Sequence, residues 1–237
     1  LQCTKPKDTL IIQTNLNKNM SHIPKTWYNR SCKRCPRLTE HLKDIASRYP
    51  TYHCRPVPPF GDHKASLLIV GLAPGRHGAN ATGRAFTGDH AGILLYETLY
   101  ELGIASSKSS ISAHDSMTLT NCRITNAVKC LPPENKPINV EIVTCNNYLA
   151  AELEAVPVSG VLVALGRIAH NAILKALSLK QVAIPFGHGA EYPLPDGRTL
   201  ISSYHCSRYN TQTKRLTKPM FVEVIKRALI LSTQPTD

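Results

Sequence analysis

No apolar run in this sequence approaches the roughly 20 residues that a membrane helix requires. The longest, Val161-Leu162-Val163-Ala164-Leu165 with its flanks, has the length of a strand. Residues 1–19 hold no apolar stretch ahead of a small-residue cleavage site, so no secretory signal is read there and an intracellular setting is expected. Neither GxxxxGK(S/T) nor GxGxxG occurs, which removes the strongest signal for an ATP- or dinucleotide-binding enzyme. Internal repeats and low-complexity segments are lacking too. Acidic residues are scarce: 16 Asp and Glu stand against 28 Lys and Arg, a net charge of +12. Such a field favours polyanions, nucleic acid before an anionic membrane surface. Solvated Lys faces give the same charge, so charge alone does not decide the partner.

What is present suits a globular protein. Hydrophobic residues make up 42% and charged residues 19% of 237 positions, enough to bury a proper core in one large domain or two small ones. Residues 1–26 are polar and rich in Lys, Asn and Thr apart from Leu10-Ile11-Ile12, and are expected to form a loosely ordered arm. A single domain is expected over 27–237. Strands are expected at 66–71, 123–128, 158–165, 182–184 and 199–203. Helices are expected at 38–49, around 93–102, and at 140–156, 168–177 and 221–231. Asp196-Gly197 is a turn signal. Strands alternating with helices imply an α/β fold with a mostly parallel sheet. Sites in such sheets collect beyond the carboxyl ends of strands. Three loops qualify: 71–92, 126–137 and 204–217.

Cys32-Lys33-Arg34-Cys35 offers two thiolates to one metal or cluster, and Cys130 and Cys145 can complete a set of four. Thiolate quartets hold either tetrahedral zinc or an iron–sulfur cluster, and spacing does not choose between them. Cys130 and Cys145 also suit ordinary buried positions. Cys3, Cys54, Cys122 and Cys206 read as free thiols. The Gly71-Leu72-Ala73-Pro74-Gly75 turn lets a backbone approach a ligand closely. The loop it opens also carries His77, Asn80, Arg84, Phe86, Thr87 and Asp89, a concentration of polar groups that a plain surface loop does not need.

Taken together, Arg55-Pro56-Val57-Pro58-Pro59-Phe60-Gly61-Asp62, the 71–89 segment, Thr125-Asn126-Ala127-Val128-Lys129-Cys130-Leu131-Pro132-Pro133-Glu134-Asn135-Lys136-Pro137 and Tyr204-His205-Cys206-Ser207-Arg208-Tyr209-Asn210-Thr211 resemble the uracil-DNA glycosylase superfamily, in particular its family 5 branch. The resemblance runs from about Trp27 to the C-terminal helix and implies a three-layer α/β/α sandwich with a central, mostly parallel sheet. It implies a 4Fe–4S cluster on Cys32, Cys35, Cys130 and Cys145, structural in role. It implies a monomeric enzyme acting on DNA that contains uracil or other deaminated bases such as hypoxanthine and xanthine, with no membrane partner. Such enzymes flip the target nucleotide out of the stack before cleaving its glycosidic bond.

The resemblance also assigns roles. Gly71, Ala73, Phe86, Asn126 and His205 are expected around the base. Phe86 would stack on it, and Asn126, with an amide donor and a carbonyl acceptor, would read its edge. Asp89 matches the acidic residue of the family 5 pattern and would face the positive charge that develops on the sugar. Ala73 stands where families 1 and 4 carry a polar or acidic residue and cannot orient water. His205, as a neutral donor or a cation, would stabilise the leaving base. Asp89, Asn126 and His205 are therefore the expected catalytic set. Asn80, Arg208, Tyr209, Lys214 and Arg215 are expected to contact DNA, with Arg208 and Tyr209 wedging into the vacated stack and Lys214, Arg215 and Lys218 on phosphates. Cys206 replaces the family's common Pro, which leaves the backbone after His205 looser. Two other readings compete: a non-catalytic nucleic-acid-binding protein with cysteine-bound zinc, and a doubly wound nucleotide-binding enzyme. The first needs only the basic surface, and the second lacks its phosphate fingerprints.

Overall fold

Aliphatic runs that end in Gly, Asn, Leu or Ser become the strands. The computed structural model describes residues 23–233, so most of the expected N-terminal arm, with Cys3, lies outside the described residues. Six strands are formed: β1 (Phe60–Gly61), β2 (Leu67–Gly71), β3 (Cys122–Asn126), β4 (Val161–Leu165), β5 (Glu191–Pro193) and β6 (Thr199–Ser203). They make one sheet in the order β1-β3-β2-β4-β6-β5. The four central strands are parallel, and the short β1 and β5 close the edges antiparallel. Every residue of β2, β3 and β4 is buried, as expected for a parallel sheet covered on both faces.

Alternation along the strands sorts the core into two layers. Leu67 and Ile69 of β2, Ile124 of β3 and Val161 and Val163 of β4 face one way. They pack with Leu94, Leu95 and Leu99 of α3 (His90–Glu101) and with Phe221, Val224 and Ile225 of α7 (Lys218–Ser232). Leu68, Val70, Leu162, Ala164 and Leu200 face the other way. They meet Leu149 and Leu153 of α4 (Asn139–Glu154) and Ala169, Ala172 and Ile173 of α5 (Arg167–Ala176). Each fully buried aliphatic side chain contributes on the order of 1.5–3 kcal/mol. The result is the expected three-layer sandwich. Three smaller helices complete it: α1 (Pro36–Arg48), α2 (Ala79–Thr82) and α6 (Arg208–Gln212).

One expected strand is absent. Residues 182–184 form turns instead, closed by Ala183 N–H to Lys180 O and Ile184 N–H to Gln181 O, and Val182 is exposed. Pro185 follows at once and cannot donate to a ladder, which explains the failure. The edge partner of β6 is β5, which the expectation missed. It is joined to β6 through the Asp196-Gly197 turn, where Leu194 N–H meets Arg198 O at 2.7 Å.

The face of β3 toward α4 is not apolar. Arg123 and Thr125 point there, and Lys129 follows from the next loop. All three converge on Glu152 of α4, which is fully buried. Arg123 lies over the Trp27 ring at 4.3 Å and donates to His63 O and Glu152 O. Lys129 Nζ donates to Thr125 Oγ1 and Glu152 Oε1. One carboxylate thus serves two buried cations and fixes β3 and the loop after it against α4. Removing one member of such a group leaves uncompensated buried charge. Glu152→Ala is expected to destabilise the fold by about 3–5 kcal/mol in urea unfolding, and an unchanged midpoint would show that the carboxylate is dispensable.

Candidate active site and cysteine cavity

The expected site residues meet at the carboxyl edge of the parallel strands. Gly71 and Asn126 are the last residues of adjacent β2 and β3 and are register partners. A Cβ built on Gly71 would fall 2.5 Å from Asn126 Oδ1 and 2.5 Å from Phe86 Cζ. Only glycine admits this approach, so Gly71 lets the Phe86 ring and the Asn126 amide share one floor. His205 enters from the loop after β6, its ring 6.1 Å from that of Phe86 at an interplanar angle of 27°. Gly166, after β4, has φ +94 and lies beneath His205, where a Cβ would come within 3.4 Å of the His205 Cβ. Four strand ends therefore build one site, where the three loops of the sequence reading supplied only three.

Asn126 is 4% exposed and its Oδ1 is buried without a hydrogen-bond partner. Leaving a buried acceptor unpaired costs on the order of 1–3 kcal/mol, so such groups are rare in native proteins and call for an explanation.

Burial lowers the His205 imidazole from 6.5 to about 4. The ring is thereby held toward its neutral form. Its loop is not loose, despite Cys206. Asn210 Nδ2 donates to His205 O at 2.8 Å, Ser207 caps α6 by accepting from Asn210 N, and the Cys206 side chain is buried in the core. Cysteine packing and the Asn210 bond do what a proline would have done.

Asp89 caps α3, its Oδ1 accepting from Gly92 N at 2.8 Å. Its second oxygen faces the glycine loop, 3.4 Å from where a Cβ of Gly75 would be, and a Cβ on Gly78 would overlap the carboxylate. Burial raises the carboxyl above 3.8, partly offset by the Gly92 and Ala91 N–H groups. The helix-cap reading is realised by one oxygen, and the other is left facing the 75–78 turn. Phe86 itself has φ +55, a left-handed conformation that costs a non-glycine residue about 1–2 kcal/mol.

A family model described as the uracil DNA glycosylase superfamily matches residues 58–229. The chain belongs to the uracil DNA glycosylase superfamily. It is 48% identical over 203 residues to a type-5 uracil-DNA glycosylase of Thermus thermophilus, covering 84% of this chain and 92% of that protein. It is 42% identical over 217 residues to a type-5 enzyme of Pyrobaculum aerophilum, covering 87% and 94%. A type-4 uracil-DNA glycosylase of Archaeoglobus fulgidus is 32% identical over 163 residues, covering 68% of each chain.

Within this superfamily member, some expected contacts are displaced. Asn80 is fully buried and donates to Cys54 Sγ at 3.5 Å, so it is not a surface contact to DNA. Ala73 packs with the apolar lining of the cysteine cavity. Lys218 is paired with Glu97 and Glu101 and is not free for phosphate. Arg208, Tyr209, Lys214 and Arg215 are exposed on or just after α6, with Tyr209 70% exposed and the Arg215 guanidinium 4.6 Å from the Tyr204 ring centre. No helix among the described residues is long and apolar enough to cross a membrane.

Cys32, Cys35, Cys130 and Cys145 line one cavity with Leu38, Val128 and Tyr148. All four are free thiols, and burial pushes Cys35 up to about 11 and raises Cys130 and Cys145 as well. Lys129 N–H points at Cys145 Sγ, 3.3 Å away. Arg37, two residues after Cys35, grips Glu141 of α4 with Nε at 2.7 Å and Nη2 at 2.9 Å, holding the CxxC turn against the helix that carries Cys145. Among the described residues no group of three or more His, Cys, Asp or Glu is placed so that it could hold a metal ion.

Sequence reading missed Gly166, Asn210 and the segment packed behind Phe86. Asn210, three residues after Ser207, carries a visible signal as part of a helix-capping pair. Gly166 directly follows the expected strand over 158–165. The folded imidazole of His205 lies below its ordinary value, so it is neutral at neutral pH. Its contribution to stability is complete above about 6.5 and is lost as pH falls toward about 4. An NMR titration of the His205 ring is expected to show a midpoint near 4 and no excision-rate step near 6.5, whereas an ordinary midpoint would show that burial does not hold the ring neutral.

Proposed function

We propose that this chain is a monofunctional DNA glycosylase that extrudes uracil from DNA and hydrolyses its N-glycosidic bond. The observation that carries the reading is the orphaned Asn126 Oδ1, held beside Phe86 at the bottom of a four-strand site. A flipped base supplies both a ring for Phe86 and an N–H for Asn126. The type-5 names of the relatives agree with it. Hypoxanthine and xanthine are further candidates, because the Asn126 amide offers both a donor and an acceptor.

The bond breaks with positive charge growing on the sugar and negative charge on the departing base. The Asp89 carboxylate, fixed by its cap bond and facing the 75–78 turn, opposes the first and orients water. Neutral His205 donates toward the second, and as a buried preorganised donor it needs no reorganisation during the reaction. Lys129 cannot act as a lyase nucleophile, since its ammonium is bonded to Glu152 and Thr125. Water is therefore the acceptor. Arg208, Tyr209, Lys214 and Arg215 give the duplex-facing surface, and the monomer suffices for every role named.

Cys32, Cys35, Cys130 and Cys145 line one cavity and would be the ligands of a cysteine-bound group, with the Lys129 N–H directed at one sulfur. The resemblance to the family 5 branch supports a 4Fe–4S cluster as that group, and when bound it would serve as a structural staple between the CxxC turn and the Cys130 loop. This chain's residues position the ligands, and no step of base excision passes through them.

Two tests follow from these assignments. Duplexes carrying uracil or hypoxanthine, incubated with the protein and then treated with alkali, are expected to break at the modified site. Asn caps a helix as well as Asp does, so Asp89→Asn keeps the fold while removing the charge. It is expected to slow single-turnover uracil excision by roughly 10²–10³, and Asn126→Ala to change which base is preferred. Excision by Asp89→Asn at the wild-type rate would remove the carboxylate from the mechanism. For the cluster, the purified protein is expected to be brown, with broad absorption around 400 nm that Cys35→Ala bleaches. A colourless, active protein with stoichiometric zinc would contradict it.

A further inference from the structure

Phe86 is the only residue of the base site in a left-handed backbone conformation without being glycine. Its ring packs into the core layer on that face of the sheet, and a left-handed residue persists only where its surroundings hold it. The restraints lie on either side of it. Arg84, 5% exposed, places its guanidinium over the Phe60 ring at 4.7 Å. It donates to Thr87 Oγ1 at 3.0 Å, Ser110 Oγ at 2.7 Å, Ser112 O and Asp115 Oδ1 at 2.5 Å. Tyr96 OH donates to Ala85 O at 2.8 Å. Thr87 Oγ1 and Ser110 Oγ are 2.6 Å apart, and Gly88 N–H reaches Ser110 O at 3.3 Å. A Cβ on Gly92 would overlap the Phe86 carbonyl, which is thus seated on the first turn of α3. Residues 84, 85, 87 and 88 are all tied, and residue 86 takes the conformation they leave.

The anchor of these ties is Asp115. It sits in an excursion of the chain closed at its base by the Ala105–Leu119 bridge. Besides Arg84 it accepts from Ile111 N, Ser112 N and Met117 N, so one carboxylate both shapes the excursion and grips the arginine. These four donors saturate it, which suits a fixed strut and not a reacting group. We infer that Asp115 and Arg84 are positioning residues that force the Phe86 ring into its base-stacking pose, with the 106–118 excursion serving as a buttress for the site. The excursion contributes no group to the reacting atoms and acts only through Phe86.

This inference rests on the reading that Phe86 stacks on the extruded base, and a double-mutant cycle separates the two. The variants are Asp115→Ala, Phe86→Ala and the pair together, assayed for single-turnover uracil excision at saturating protein and for affinity to an undamaged duplex. Asp115→Ala is expected to slow excision by roughly 10–100-fold, the scale of a misplaced positioning group, with unchanged affinity for undamaged DNA. In the Phe86→Ala background the same change is expected to alter the rate by less than about twofold, because the ring through which it acts is gone. An equal loss in both backgrounds, or no loss from Asp115→Ala alone, would overturn the inference while leaving the stacking reading intact. A wild-type rate for Phe86→Ala would sink the stacking reading, and this inference with it. If Asp115→Ala does not fold, Ser110→Ala, which removes the Thr87 and Arg84 contacts only, goes through the same cycle. Its smaller loss must likewise vanish without Phe86.

Discussion

The missing side chain of Gly71 is the constraint on which the site depends. Parallel strands in register bring Gly71 and Asn126 side by side at the sheet's carboxyl edge. Any Cβ at Gly71 would occupy the space that the Phe86 ring and the Asn126 oxygen share. That single vacancy lets an aromatic wall from one loop and a polar edge from another strand meet at hydrogen-bonding scale. His205 then closes the group from β6, seated over Gly166. Two glycines at strand ends thus do the work of a pocket, and the helices on both faces of the sheet make the strand ends rigid enough to aim the groups.

Burial sets the electrostatics of this arrangement. It holds His205 neutral, raises the Asp89 carboxyl and leaves the Asn126 acceptor without a partner. Each of these is unfavourable to the free protein. The stabilising counterweight lies elsewhere. On the opposite side of β3, Glu152 neutralises Arg123 and Lys129 in a fully buried group. Lys129 also carries the N–H directed at Cys145, so the same residue links the sheet, α4 and the cysteine cavity. The strand that presents Asn126 is therefore gripped from behind by a salt-bridged layer.

Much of this was legible in the sequence because the signals are local. Aliphatic runs ending at Gly71 and Gly166 gave the strand ends, and the loops after 71, 126 and 203 fell where an α/β sheet places its sites. The cysteine set converged on one cavity as its grouping implied. The misses have a common physical source. Asn80 looked like a surface donor, but its burial against Cys54 depends on how the loop folds back. Lys218 looked free until α7 packed beside α3, which carries Glu97 and Glu101. Asp115 lies 31 residues from Arg84 in a polar stretch with no periodicity, so nothing local marks it as the partner. Residues 182–184 had strand composition, but Pro185 and the turns around them prevailed. Pairing across distance is what sequence pattern does not carry.

The central claim is that one floor, made by Phe86 and Asn126 over Gly71 and faced by His205, receives the extruded base. The most direct measurement is a crystal structure of the protein bound to a duplex with an abasic site in the presence of free uracil. The account requires the uracil ring on Phe86, an N–H of the base on Asn126 Oδ1 and a base oxygen within hydrogen-bond reach of His205. Uracil bound elsewhere, or Asn126 Oδ1 still unpaired beneath a bound base, would contradict it.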